Sequence, residues 1–131
     1  LAPNLPMLRL DPVLFDQVLF NLVDNAAKYA PAGTTIGVHA RTDGNALALE
    51  ILDEGPGLPP ADLERIFDSF YRVGKGDQVR AGTGLGLAIC RGFVEAMGGT
   101  IVAANRRDRQ GAVFTIRMPI PPEAHQMKVL P

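Results

Sequence analysis

Between residues 11 and 30 the apolar positions recur with a helical rather than an extended period. Wound at 3.6 residues per turn, Gln17, Asn21, Asp24, Asn25 and Lys28 fall within about 100° of one another, while Phe15, Val18, Leu19, Leu22, Val23, Ala26 and Tyr29 fill the remaining arc. Asp11 and Pro12 supply a capping acid and a proline at the first helical position, and Pro31 and Gly33 end the run. "TTIGVHARTD" and "NALALEILD" then read as two strands about the turn Asp43-Gly44-Asn45, a hairpin. In "PADLERIFDSFYR", Leu63, Ile66, Phe67 and Phe70 return to helical spacing, which predicts a short helix running into an aromatic turn.

From Val73 to Gly86 the chain is polar and holds Gly74, Gly76, Gly82, Gly84 and Gly86, a pattern expected of a mobile loop. "LGLAICRGFVEAM" is helical again, with Gly98 and Gly99 as its stop, and "TIVAANRR" and "AVFTIRMP" give two closing strands about Asp108 to Gly111. With "MLRL" at 7–10 as a short edge strand, the order is strand, helix, two strands, helix, loop, helix, two strands. That order excludes a regular alternation of parallel units and fits an α+β domain, its helices on one face of a mostly antiparallel or mixed sheet. The domain is expected over 1–119, with 120–131 as an extended or disordered proline-rich tail.

At 131 residues the chain suits a single domain. A net charge of −1, with 47% apolar and 21% charged residues, gives no basic excess to suggest nucleic acid. Cys90 is the only cysteine, which excludes a disulfide framework and a zinc pattern and fits a buried thiol in a reducing compartment. No apolar run is long enough to span a bilayer, and the start "LAPNLPMLRL" lacks the order of a signal peptide. A first residue other than Met reads as a piece cut from a longer protein.

The polar face of the first helix is chemically unusual. Asn and Asp are poor helix formers, and two asparagines with an aspartate represent a loss of about 1 to 2 kcal/mol relative to alanine. An amide oxygen is a hard, neutral ligand suited to Mg²⁺, and a lysine one turn on can meet phosphate as a point charge. Taken alone, the helix leaves this reading and a plain amphipathic surface helix equally open. In "AGTGLGLAI", glycines lead straight into a helix, so backbone N–H groups and the helix dipole can face an anion, with phosphate the natural candidate. A Rossmann site would need a strand before the glycines and an acid some 20 residues on, and a P-loop would need Ser or Thr after Lys75; neither is present.

Together and in this order, "NLVDNAAKY", "DEGPG", "FDSFYR" and "GTGLGLAI" resemble the N box, first glycine box, F box and second glycine box of the catalytic, ATP-binding domain of bacterial sensor histidine kinases. The longer stretches "NLVDNAAKYAPAGTTIGVHA", "ILDEGPGLPP" and "GLGLAICRGFVEAMGGTI" most resemble the potassium-responsive members. The resemblance implies a Bergerat-type two-layer α/β sandwich, a mixed sheet of about five strands covered on one face by about three helices, with a flexible ATP lid. It further implies Asn25 as the Mg²⁺ ligand, with Asn21 lining the same phosphate side, Lys28 on phosphate and Tyr29 beside the adenine. Asp53 would accept from the adenine amino group, with Gly55 and Gly57 giving clearance beside the base. Gly82, Thr83, Gly84, Leu85 and Gly86 would surround the phosphates, and Phe67, Phe70 and Arg72 would anchor or extend the lid.

The cofactors implied are ATP and Mg²⁺. The implied partners are the histidine-containing dimerisation domain of the same kinase and, through the full-length protein, a response regulator; neither nucleic acid nor direct membrane contact by this fragment is expected. The fragment would be a cytoplasmic part of an inner-membrane sensor. His39 and His125 lack the neighbours of a phosphoacceptor and are expected on the surface. Glu54 stands where the family most often has Asn; adjacent residues of an extended chain point opposite ways, which would turn it to solvent. Related ATPases carry a general-base glutamate where this chain has Asn21. The competing readings are a GHKL-type ATPase or anti-sigma-type serine kinase, and a degenerate interaction module without catalysis.

Overall fold

The structure, a computed structural model, describes residues 11–68 and 86–120. The strand expected at 7–10, the glycine-rich loop up to Leu85 and the tail beyond Ile120, with His125, lie outside the described residues.

Helix α1 spans Pro12–Tyr29. Its start is fixed by Asp11, whose Oδ1 accepts from the backbone amides of Val13 (3.0 Å) and Leu14 (3.3 Å), satisfying donors that the first turn leaves unpaired. Its end is set by Pro31, which pushes the preceding Ala30 into the extended region (φ −74°, ψ 134°). Strands β1 (Gly37–Asp43) and β2 (Ala46–Leu52) form the expected hairpin, with Gly44 at φ 64° in the turn. Helix α2 (Gly86–Ala96) precedes β3 (Thr100–Asn105) and β4 (Ala112–Pro119).

The four strands make one sheet in the order β1-β2-β4-β3, antiparallel at every pairing among the described residues. In β4 the alternation of buried Ala112, Phe114, Ile116 and Met118 with half-buried Val113, Thr115 and Arg117 shows one face turned to the helices. Against that face pack Val18, Leu22 and Ala26 of α1 and Cys90 and Val94 of α2. Each large apolar side chain fully buried here contributes about 1.5 to 3 kcal/mol. On the other side of α1, Val13 and Phe20 stay 69% and 67% exposed, so the apolar arc of this helix is wider than the arc it buries.

The short helix expected from Pro60 onward is instead two 3₁₀ turns, Pro60–Asp62 and Arg65–Phe67, closed by bonds such as Asp62 N–H to Pro59 O and Asp68 N–H to Arg65 O. A segment this short cannot offset the cost of nucleating an α-helix by propagation. Its apolar residues still serve the core: Ile66 and Phe67 are buried, and the Phe67 ring meets Phe114 edge-on at 6.0 Å between centroids. Ile120, the first residue of the expected tail, is also buried and donates its N–H to Asn45 O.

The end of α2 shows what joins the two layers. Gly98, at φ 84°, donates to Glu95 O and Gly99 donates to Val94 O, the paired bonds of a Schellman cap. Gly99 is buried against β4, where a Cβ would lie 2.4 Å from Met118 Sδ and 2.6 Å from Arg117 O. Gly99→Ala is therefore expected to cost roughly 2 to 4 kcal/mol through overpacking against backbone that cannot withdraw, read as a lowered urea midpoint at unchanged slope. A midpoint equal to wild type would refute that close approach.

Candidate functional site

The stretch "DEGPGL" leaves β2 and turns back over the end of the β3–β4 hairpin. Asp53 N–H donates to Ala112 O (3.0 Å), and in return Asp53 Oδ1 accepts from Ala112 N–H (3.0 Å) as well as from Gly55 N–H (2.9 Å). The side chain is 2% exposed, the only polar or charged residue buried to that degree among the described residues. Both of its protein donors fall on Oδ1; no donor among the described residues reaches Oδ2.

Three neighbours hold this loop by its main chain. Arg106 Nη1 donates to Asp53 O (3.0 Å), while its Nε and Nη2 bond both carboxylate oxygens of Asp108 (3.0 and 2.9 Å). Those bonds raise the Arg106 pKa above its ordinary value and hold that of Asp108 below the usual carboxylate range. Asn105 makes two bonds to one residue, Oδ1 accepting from Leu58 N–H and Nδ2 donating to Leu58 O, both at 2.7 Å. Gly111, at φ 146°, passes so close to Asp53 that a Cβ would fall 2.0 Å from its carbonyl oxygen. Gly57, at φ 80°, similarly leaves only 2.8 Å between a built Cβ and Asn105 Oδ1. Neither Asn105, Arg106 nor Gly111 stood out in the sequence; the turn signal at 108–111 marked only a hairpin.

Glu54 is not turned to open solvent. Its Oε2 accepts from Thr35 N–H (3.3 Å) and lies 3.8 Å from Arg109 Nη1, so it links the segment after α1 to the β3–β4 hairpin. The expectation failed because the chain between α1 and β1 folds back over the loop and offers a donor that sequence alternation cannot reveal.

On α1, Asn21, Asp24 and Asn25 are half-buried and Gln17 and Lys28 exposed, as the helical wheel groups them. Asn25 Nδ2 is the one side-chain nitrogen or oxygen among the described residues that is buried without a hydrogen-bond partner. Lys28 Nζ pairs with Asp24 Oδ2 at 3.1 Å, both side chains about half exposed, an (i, i+4) contact worth about 0.3 to 0.5 kcal/mol. Asn21 lies near Cys90 of α2, where its side chain partly offsets the effect of burial on the thiol. Gly86 opens α2 with nothing near the position of a Cβ. The side chain of Tyr29, and Phe70, Arg72, Gly82, Thr83, Gly84 and Leu85, lie outside the described residues. Phe67 belongs to the hydrophobic core. His39 is exposed on β1, as expected.

A family model described as histidine kinase-, DNA gyrase B-, and HSP90-like ATPase matches residues 10–122. The chain belongs to that family. Among relatives, it is 48% identical over 119 residues to the sensor protein KdpD of Escherichia coli K12, covering 91% of this chain and 13% of that protein. Among solved structures, it resembles the mycobacterial sensor histidine kinase MprB, with a TM-score of 0.76, 31% identity and coverage of 86% of this chain and 76% of that one. It also resembles full-length ShkA, solved in complex with AMPPNP, with a TM-score of 0.70, 33% identity and coverage of 88% and 23%. The histidine kinase ATP-binding domain thus accounts for nearly all of the chain, which spans about 13% of the length of the curated relative. No helix among the described residues is long and apolar enough to cross a membrane.

Cys90, fully buried, donates weakly to Val18 O (3.8 Å). Burial pushes its thiol up to about 11, partly opposed by the Asn21 side chain. A raised folded-state pKa favours the neutral thiol, so this contribution is complete below the unfolded value near 9 and is lost as pH rises through about 11. Wild type should therefore lose more stability than Cys90→Ala between pH 8 and 11, measured as parallel urea midpoints. Equal losses would show that the thiolate is not excluded from the interior.

Proposed function

We propose that this chain binds MgATP across the polar face of α1 and the Asp53 loop, and that it donates the γ-phosphoryl group to a histidine of the dimerisation domain of the same kinase. The observation that carries the reading is the Asp53 carboxylate. A buried carboxylate held by two backbone amides on one oxygen keeps its orientation, and Oδ2 is then left for a donor such as the adenine amino group. Gly55 would let the backbone run beside the base, the open side of Gly57 being turned to Asn105 instead, and the resemblance assigns Tyr29 to the adenine.

Asn25 fits a Mg²⁺ site. Its amide nitrogen has no partner among the described residues, and a half turn about χ2 exchanges nitrogen for oxygen, so a bound ion can set its orientation. No group of three or more His, Cys, Asp or Glu that could hold a metal occurs among the described residues, which suits an ion that keeps waters and phosphate oxygens as its remaining ligands. Charge neutralisation at the β- and γ-phosphates is the chemistry Mg²⁺ supplies when bound. Lys28 adds a cation on the same face; because its exposed bond to Asp24 is weak, phosphate can replace that partner at little cost. Asn21 would complete the phosphate side, and the resemblance assigns Phe70, Arg72, Gly82, Thr83, Gly84, Leu85 and Gly86 to the lid over the nucleotide.

In the transfer, an imidazole nitrogen of the acceptor attacks the γ-phosphorus, the bond to the β,γ-bridging oxygen breaks, and ADP leaves. No covalent intermediate on this chain is needed. A response regulator then takes the phosphoryl group from the full-length protein, an inner-membrane sensor of KdpD type responding to potassium or osmotic state.

Asp53→Asn should weaken MgATP binding by about tenfold or more, about 1.4 kcal/mol, in a calorimetric titration, because an amide can turn a donor toward the adenine donor. Unchanged affinity would remove the adenine role. Hydrolysis of ATP by the chain alone should be slow, since the Asn21 amide cannot take a proton from water at neutral pH. Fast phosphate release that disappears in Asn21→Ala would instead favour an ATPase.

A further inference from the structure

Two consecutive side chains at the end of β3 grip both ends of the Asp53 loop. Arg106 takes the entry, donating to Asp53 O at 3.0 Å, and Asn105 takes the exit, bonding Leu58 N–H and Leu58 O at 2.7 Å each. Neither grip is loose. The Arg106 guanidinium is 10% exposed and braced by Asp108 through two further bonds. The Asn105 amide copies the donor and acceptor of a strand residue, and Gly57 makes room for it. All of these bonds reach main-chain atoms, so they fix where the loop lies while leaving its side chains free to face a ligand.

We infer that Asn105 and Arg106 are positioning residues that set base selectivity, a role that rests on the nucleotide reading above and extends it to residues that need not touch the nucleotide. A carboxylate discriminates an amino group from a carbonyl only where its free oxygen is fixed to within a few tenths of an ångström and a narrow range of angle. Two backbone amides fix Oδ1, but both belong to segments that the clamp itself aligns: Gly55 lies within the loop, and Ala112 lies across from Asp53 beside Gly111. Releasing either grip lets residues 53–58 shift as a unit relative to β4. The free oxygen would then sample positions from which it meets the adenine amino group less well, and the advantage of MgADP would shrink.

The experiment compares MgADP with the magnesium complex of inosine diphosphate, whose base carries a carbonyl where adenine carries its amino group, by calorimetric titration of the whole chain. Wild type should prefer MgADP by about 10- to 100-fold, the range for a hydrogen bond to a charged group. Asn105→Ala and Arg106→Ala should each narrow that preference about tenfold, chiefly by weakening MgADP, with inosine diphosphate affinity held within about twofold. Arg106→Lys, which retains a cationic donor for Asp53 O, should recover most of the preference, and Arg107→Ala, an exposed neighbour in the same hairpin, should leave it intact.

A merely structural role would lower the urea midpoint of the variants while leaving the preference at its wild-type value, and that result overturns the inference. Should the alanine variants not fold, Asn105→Asp decides the matter. It keeps an acceptor for Leu58 N–H and sets a charged acceptor against Leu58 O in place of the donor, which releases that grip, so a wild-type preference in a folded Asn105→Asp protein is equally fatal. A wild-type chain that binds neither nucleotide removes the nucleotide reading along with this inference. A wild-type preference that the variants retain removes the inference alone.

Discussion

A carboxylate taken out of water is costly unless donors replace the lost hydration, and Asp53 meets that demand with two backbone amides on a single oxygen. Much of the surrounding structure follows. Ala112 must lie directly across from it, which places the first residue of β4 opposite the residue that follows β2. Gly111 must have no side chain, because the hairpin crosses the Asp53 carbonyl within the radius of a methyl group. Arg106 then occupies the outer side of the same carbonyl. Asp53 is therefore held at both ends, its carboxylate by two backbone amides and its carbonyl by the Arg106 guanidinium.

The sheet and the helices divide the labour of the site. In the proposed site the ends of the two central strands, near Leu52 and Ala112, would supply a rigid acceptor, whereas α1 would supply neutral amides and one cation from the face opposite its packed Val18, Leu22 and Ala26 side. That division suits a ligand with an aromatic, hydrogen-bonding end and a highly charged end. The aromatic end gains from fixed geometry; the charged end gains from side chains that can adjust, such as Lys28 leaving Asp24. The buried thiol of Cys90 meets Val18 O of α1, and Val18, Leu22 and Ala26 share one core with Cys90 and Val94 of α2, so the helix that carries Asn25 is seated by the core and not by the ligand.

What the sequence showed and what it concealed separate along physical lines. Helix α1 was legible to its ends because Asp11, Pro12 and Pro31 act on adjacent residues, and both hairpins were legible through alternation and turn glycines. The 3₁₀ turns after Pro59 were not, since Leu63, Ile66 and Phe67 have helical spacing in a segment too short to use it. Within the site, the amide-rich face of α1 and the acid of the glycine box were visible locally, but their roles came from the resemblance. Asn105, Arg106 and Glu54 were opaque for another reason. Their partners lie 47, 53 and 19 residues away, and nothing in the local pattern of an asparagine at a strand end announces a bond across that distance.

Holding a loop by its main chain also changes what its sequence is permitted to become. Asn105 and Arg106 recognise peptide groups, which every residue carries, so the grip does not record which side chains stand between Asp53 and Leu58. Glu54 and Pro56 can be exchanged over evolutionary time without the loop losing its place, provided Gly57 keeps its room and the two end residues keep their backbone geometry. Position 54 is thereby left to tie the loop to a neighbour of its own, as this chain does with Thr35 and Arg109. The heritable constraint falls instead on the hairpin beyond β3.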